Sequence, residues 1–347
     1  MNMKKYIIAI CSLVLIGTVQ AGNPQRAGSA GASELLINPF ARSAGWGGVN
    51  VAGVSGVDAS FMNIAGIAAT SGNTQVAFNN TQWLVGAGIQ MNGATLIQRV
   101  SDVGFLNMGI SAFDYGEWEV TTADQPEGTG ATISPQSLAI NLGYAQKFTE
   151  NIYGGANVKI YSSSISNLNT SGVCFDAGVQ YRTGVEDRFK FGITLRNVGP
   201  GITYEGDGFG VTLPVPTYGV AYTQTFESRS AIFELPTALS IGGSYDWLLE
   251  NGKVTGALNF TSNAFEKDTY HAGFQYSLKD LFQLRVGYVA RDNRADGLRT
   301  SAISGICGGF SFNVPTGDDG SFAIDYAYRG TTSAFSGIHT IGARINL

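Results

Sequence analysis

From about residue 73 to the C-terminus the chain repeats segments in which apolar side chains alternate with polar or small ones. Each is roughly ten residues long, the length and period-2 pattern of a transmembrane strand. Leu138, Ile140, Leu142, Tyr144 and Phe148 share one face, and Asn141, Gly143, Ala145 and Lys147 the other. The same phase sets Val173, Phe175, Ala177, Val179 and Tyr181 against Cys174, Asp176, Gly178, Gln180 and Arg182, and Phe189, Phe191, Ile193 and Leu195 against Lys190, Gly192, Thr194 and Arg196. It recurs over 270–279, 282–288 and 322–329. A half-buried soluble sheet also alternates, but the apolar faces of a sandwich must meet one another, and such a fold seldom sustains so many aromatic-rich faces. Composition favours lipid. Only 14% of the residues are charged, against about 25% in ordinary soluble domains, while there are 20 Phe and 15 Tyr. No stretch after residue 21 is an apolar run of helix-spanning length. Since only helices and closed barrels satisfy every backbone group in hydrocarbon, the expected fold is an all-β transmembrane antiparallel barrel over 73–347.

Turn signals at Thr149-Glu150-Asn151, Glu186-Asp187, Glu250-Asn251-Gly252 and 316–320, with longer polar stretches at 121–135, 199–216 and 291–300, punctuate the segments. Short and long connections therefore roughly alternate, as they do in outer-membrane barrels. The segments number fourteen or fifteen, depending on whether 73–99 is one bent ribbon or two strands, and the even number is preferred. A barrel of that size encloses more space than its own strand side chains fill. Residues 22–72, rich in Gly, Ala, Ser and Val and without a sustained alternation, are the expected N-terminal plug segment. Leu35-Leu36-Ile37, Phe40, Trp46 and Phe61 are too apolar for a solvated linker.

The chain opens with Lys4 and Lys5, an apolar run from Tyr6 to Ile16, and Val19-Gln20-Ala21, the pattern of a secretory signal peptide over 1–21 cut between Ala21 and Gly22. The run is too short to span as an anchor. Cys11 lies inside it, not after a cleavage box, so it is not read as a lipoprotein cysteine. Without this segment 19 basic residues face 26 acidic ones, a balance that argues against a nucleic-acid partner. Cys174 and Cys307 are far apart and form neither a disulfide framework nor a metal cluster. No nucleophile elbow or phosphate motif accompanies His271 and His339. No catalytic residue, metal or cofactor is therefore expected.

Ala41-Arg42-Ser43-Ala44-Gly45-Trp46-Gly47-Gly48-Val49-Asn50-Val51-Ala52, followed by Asp58-Ala59-Ser60-Phe61-Met62-Asn63-Ile64-Ala65-Gly66-Ile67, looks like the ARxxGxGGxxVA...DDAxAxxxNPAGL opening of the PorV/PorQ family of FadL-like outer-membrane barrels. Ile64 stands where the family has proline, and Val57 where it has its first aspartate. Phe78-Asn79-Asn80-Thr81-Gln82-Trp83, Phe113-Asp114-Tyr115-Gly116, 159–165, Leu195-Arg196-Asn197-Val198-Gly199-Pro200-Gly201 and Asp325-Tyr326-Ala327-Tyr328 resemble further family motifs in the same order. The resemblance implies a fourteen-stranded barrel in a Gram-negative outer membrane, with a plug in which Gly45, Gly47, Gly48, Asp58, Asn63, Ala65 and Gly66 carry the motif. For the best-known members it implies work in type IX secretion, with a translocon component or a secreted cargo bearing a C-terminal signal domain as partner.

Two functions stay open. A non-enzymatic, protein-binding barrel would use the polar loops at 121–135 and 199–216. A channel for hydrophobic or amphipathic small molecules would need a path past the plug. Lumen-phase Lys147, Lys159, Arg182, Lys190, Arg196, Arg285, Arg329 and Arg344 outnumber lumen-phase Asp176 and Asp325. Gathered together they would favour anions; at strand ends they would pair with loop carboxylates or lipid phosphates.

Overall fold

The computed structural model describes residues 24–215, 222–279, 281–291, 294–295, 298–299, 302–316, 320–331 and 335–347. The signal segment, with Ala21 and Gly22, lies outside them. Fourteen strands form one closed antiparallel barrel: β1 Thr74–Trp83, β2 Ile89–Arg99, β3 Gly104–Asp114, β4 Gln136–Lys147, β5 Ile152–Ile165, β6 Leu168–Thr183, β7 Phe189–Val198, β8 Ala238–Leu249, β9 Gly252–Asn263, β10 Thr269–Leu278, β11 Phe282–Arg291, β12 Ile303–Thr316, β13 Gly320–Thr331 and β14 Ile338–Asn346. The stretch 73–99 is two strands, joined through 84–88. Each strand pairs with its sequence neighbours, and β1 closes on β14 from Gln75↔Asn346 to Gln82↔His339. Closure matters because an open edge in lipid leaves backbone groups without partners.

The side-chain phase is the one the sequence carries. Phe175, Val179 and Tyr181 on β6, Phe189, Phe191 and Ile193 on β7, and Tyr270 and Phe274 on β10 point outward, exposed on the barrel wall. Cys174, Asp176 and Gln180 on β6, and Thr194 and Arg196 on β7, point inward and are buried.

The two mouths differ. Connections 100–103, 148–151, 184–188 and 250–251 lie at one mouth with the C-terminus, as do the facing ends of β10 and β11 and of β12 and β13; residues 317–319, most of the turn expected at 316–320, lie outside the described residues. The long connections 115–135 and 199–237 lie at the other. Short turns face the periplasm and long loops the exterior in outer-membrane barrels.

The connection from β7 to β8 is longer than the polar stretch at 199–216 suggests, and it holds a two-stranded ribbon, Gly210–Val215 with Tyr222–Glu227. Its cross-strand partners Val211↔Phe226, Leu213↔Gln224 and Val215↔Tyr222 share one face. Val211, Leu213, Tyr222 and Phe226 are each about half exposed. Among the described residues the ribbon pairs with no third strand, so both of its edges are open.

A lipid-facing wall penalises charge by depth, at about 2–4 kcal/mol for a basic side chain at the bilayer midplane. Phe274→Lys, near the middle of β10 and facing out, is expected to destabilise the barrel by that amount in vesicle-based denaturant unfolding. Gln275→Lys, its lumen-facing neighbour, is expected to cost less than half as much. Equal losses would contradict the assigned phase.

Candidate functional site: the segment inside the lumen

Residues 24–72 run through the bore from one mouth to the other. At the long-loop mouth the Gly31 amide donates to the Glu234 carbonyl at 3.0 Å, and Arg26 pairs with the Glu234 carboxylate while its guanidinium lies over the Phe265 ring. At the short-turn mouth the Asn73 amide donates to the Leu347 carbonyl at 2.9 Å, where β1 begins. Between these points the chain forms short 3₁₀ turns and two single-turn helices, α1 Ala41–Ala44 and α2 Ala59–Met62. One cluster buries Phe40, Val51, Val54, Val57, Met62, Ile64 and Ile67 against Ala77, Ile97, Phe105 and Ala145 of the wall.

Small residues make this approach possible on both sides. A Cβ on Gly45 would sit 3.0 Å from the Gly309 Cα of β12, and one on Gly66 would sit 2.2 Å from the Val54 carbonyl oxygen. Gly47 and Gly48 turn the chain after α1 with φ of 66° and 68°, a region that non-glycine residues enter only at a cost. Ala65 is fully buried. Asn63 caps the 3₁₀ turn Ile64–Ala69, its Oδ1 accepting from the Ala65 amide at 3.2 Å, while its Nδ2 donates to the Val51 carbonyl at 3.0 Å and the Val179 carbonyl of β6 at 3.2 Å. Asn63 thus fastens the segment to the wall without the proline seen in the related motif.

Asp58 is the electrostatic centre of the segment. Its Oδ2 lies 3.3 Å from Arg42 Nε and accepts from Ser43 Oγ at 2.7 Å. Burial alone would raise this carboxyl, but Arg42, the Ser43 hydroxyl, Arg344 and Arg285 outweigh it and hold it below the usual aspartate range. His271 Nδ1 lies 2.7 Å from the Gly47 carbonyl and therefore carries the hydrogen.

The basic lumen residues do not form one ring. Lys159 of β5 lies 2.6 Å from Asp176 and donates to Asn197 Oδ1 at 2.9 Å. Asn197 has φ 58° and, with Arg196, forms a bulge that turns two successive β7 side chains inward. Its amide donates to Asp176 Oδ1 at 2.8 Å. Lys159 and Arg196 flank the Phe61 ring at 5.7 and 5.0 Å, so these two come together on the segment. Arg182 donates to Gln180 at 2.9 Å and stacks on Tyr153. Arg285 donates to Gln275 and Ser311, each at 2.7 Å, and also to Gln283. Arg329, of β13, pairs with Cys307 of β12 in the register, and its Nε has no hydrogen-bond partner. A narrow cavity of about 40 Å³ separates the segment from β2–β5, with Leu35, Phe40, Phe61, Met91 and Phe113 on its apolar side.

The profile of the family described as Type IX secretion system membrane protein PorP/SprF matches residues 125–344, from the third connection of the barrel into its last strand. The chain belongs to that family. The closed barrel with its lipid-facing wall is thus that of an outer-membrane protein of the PorP/SprF family, and the PorV/PorQ likeness rests on the motifs alone. No curated protein matches the sequence. Among solved structures the toluene transporter TodX of Pseudomonas putida is 13% identical with a TM-score of 0.58, covering 89% of this chain and 97% of its own. The CymD monoaromatic hydrocarbon channel is 14% identical with a TM-score of 0.54, over 89% and 97%. Both share the FadL-like fold expected from the sequence.

In this PorP/SprF barrel three groups of the lumen network escaped sequence reasoning. Asp246 and Lys253 sit on β8 and β9, and Arg42 on the segment. Asp246 Oδ2 lies 2.6 Å from Lys190 and 3.7 Å from Lys253. Its signal is the phase of β8, where Ser240, Gly242, Ser244 and Asp246 alternate with Leu239, Ile241, Gly243, Tyr245 and Trp247.

Asp58→Asn leaves Arg42 buried without its carboxylate, a loss of about 3–5 kcal/mol for a broken buried pair. Hydrogen exchange is expected to show residues 41–67 losing protection while the strands keep theirs. A depressed carboxyl contributes stability above its unfolded pKa of about 4 that is lost as pH falls through the lowered folded value. Wild-type protection is therefore expected to hold from pH 7 to about pH 4 and to fall only in stronger acid.

Proposed function

We propose that this PorP/SprF barrel is a non-enzymatic docking receptor in type IX secretion. It takes a secreted cargo with a C-terminal signal domain, or a translocon component, at its long-loop mouth. The observation that carries the reading is the ribbon of Gly210–Val215 and Tyr222–Glu227. An amphipathic ribbon with an exposed apolar face and two open edges is a template for strand addition by another chain, and solvent-exposed apolar patches mark interaction sites. The PorV/PorQ-like motifs support the same role. In this reading residues 22–72 act as a plug, held by Asp58, Asn63 and the glycines Gly45, Gly47, Gly48 and Gly66. The plug keeps the bore closed to bulk flow while the rim does the binding, and residues 1–21 direct export.

A second reading, a channel for hydrophobic or amphipathic small molecules, is favoured by one observation, the apolar cavity beside Phe40, Phe61 and Phe113. TodX and CymD carry hydrocarbons, but at this identity the likeness extends only to the fold.

The test is affinity purification of the tagged barrel from its native outer membrane in mild detergent, with and without replacement of 210–227 by a short Gly-Ser linker. A protein partner is expected with the wild type and is expected to fall at least about tenfold with the linker variant, at equal barrel recovery. If the wild type is recovered alone, or its partner persists undiminished without the ribbon, the docking reading fails.

A further inference from the structure

A second cavity, of about 160 Å³, lies between the segment and the β7–β11 wall. Space on this scale admits a small hydrated ion, since one water needs only about 10–15 Å³ by the same measure. It sits toward the short-turn mouth, because Lys190 and Lys253, each the second residue of its strand, line it together with Ser277 and Gln283 from the same ends of β10 and β11. Every charged side chain on its lining is cationic: Arg42, Lys190 and Lys253. The carboxylates lie behind them. Lys190 and Lys253 share the single carboxylate of Asp246, which also accepts from Thr255 at 2.7 Å. Arg42 Nε lies 3.3 Å from Asp58 Oδ2, Arg344 lies 3.7 Å from Asp325, and Arg285 donates to Gln275 and Gln283 on the lining and to Ser311 behind it. Around this cavity these five cations thus meet three carboxylates, an excess of two positive charges in a place where unpaired charge is costly. On the lining the Ser244 hydroxyl and the Asn50 side-chain oxygen are buried without a hydrogen-bond partner.

The geometry points to a binding site for a phosphate-class oxyanion in this cavity, entered from the short-turn mouth. A phosphate group carries about 1.5 to 2 negative charges at neutral pH, which offsets most of the excess; a monocarboxylate carries one. Its oxygens accept from lysine, arginine and hydroxyl donors alike, and Lys190, Lys253, Arg42 and Ser244 provide these here. The site lies at the opposite end of the bore from the ribbon and does not depend on what docks there.

The experiment is isothermal titration calorimetry on the full barrel in detergent with sodium phosphate, sodium acetate and glycerol 3-phosphate, at constant ionic strength. Saturable binding of one phosphate per chain is expected, at least about tenfold tighter than acetate, together with a rise in Tm as phosphate is added. Lys253→Gln, on a half-exposed side chain, is expected to weaken phosphate binding about tenfold. Lys147→Gln, at the same mouth but paired with Glu150 outside the cavity, is expected to leave it unchanged. Comparable affinity for glycerol 3-phosphate would admit a headgroup phosphate as the source, and exclusion of it would confine the site to the free ion; both support the proposal. Phosphate heats that do not saturate, acetate binding as tightly, or equal losses in the two lysine variants would overturn it.

Discussion

Backbone hydrogen bonding in hydrocarbon is the constraint from which the rest of this molecule follows. A strand in lipid has no water to satisfy its N–H and C=O groups, so the fourteenth strand must return to the first, and β14 meets β1 along Gln75–Gln82. Closure then fixes the side-chain economy. One residue in two must suit lipid and its neighbour must suit the bore, which is why aromatic and aliphatic residues alternate with Asn, Gly, Ser, Lys and Asp over most of the chain.

Closing fourteen strands leaves a bore that those side chains do not fill. The N-terminal segment occupies it, and small residues on both surfaces let backbone approach backbone, as at Gly45 against Gly309 and Trp46 against Gly287. Bringing polar groups into that space requires partners for each. Asp58 is held by Arg42 and Ser43, and Asp176 joins Lys159 to the Asn197 bulge. Where pairing is incomplete, near Arg42, Lys190 and Lys253, positive charge accumulates, so the interior is electrostatically uneven from one mouth to the other. Membership in the PorP/SprF family gives this architecture its setting. The apolar ribbon stands at one mouth and the cationic cavity opens toward the other, so different chemistry is available on the two sides of one membrane.

Strand phase, the number of strands and the short turns at one mouth were legible in the sequence because each depends on local period and local turn chemistry, whereas the other mouth mixes long loops with short turns at 84–88, 166–167 and 264–268. The small residues of 41–67 marked the part that packs in the bore. The basic residues were less legible. Lys159, Arg182, Arg196, Arg285 and Arg329 were assigned to the lumen by phase, yet phase says nothing about which strands face each other across a bore. Lys159 and Arg196 meet at Phe61, whereas Arg285 is bound by Gln275, Gln283 and Ser311. Asp246 went unnoticed as the counter-charge of Lys190 and Lys253, and the ribbon within 199–237 was hidden in what reads as loop.

The sequence by itself determined that this chain spans a membrane as a closed barrel, because the period-2 alternation and the scarcity of charge leave no other way to satisfy backbone and side chains together. Only the tertiary structure decided how the segment threads the bore, which cations share a carboxylate and which are left in excess. Those outcomes depend on distances between residues far apart in sequence, such as Lys190 and Asp246, 56 positions apart, or Asn63 and Val179, 116 apart, and no local pattern encodes a distance across a lumen.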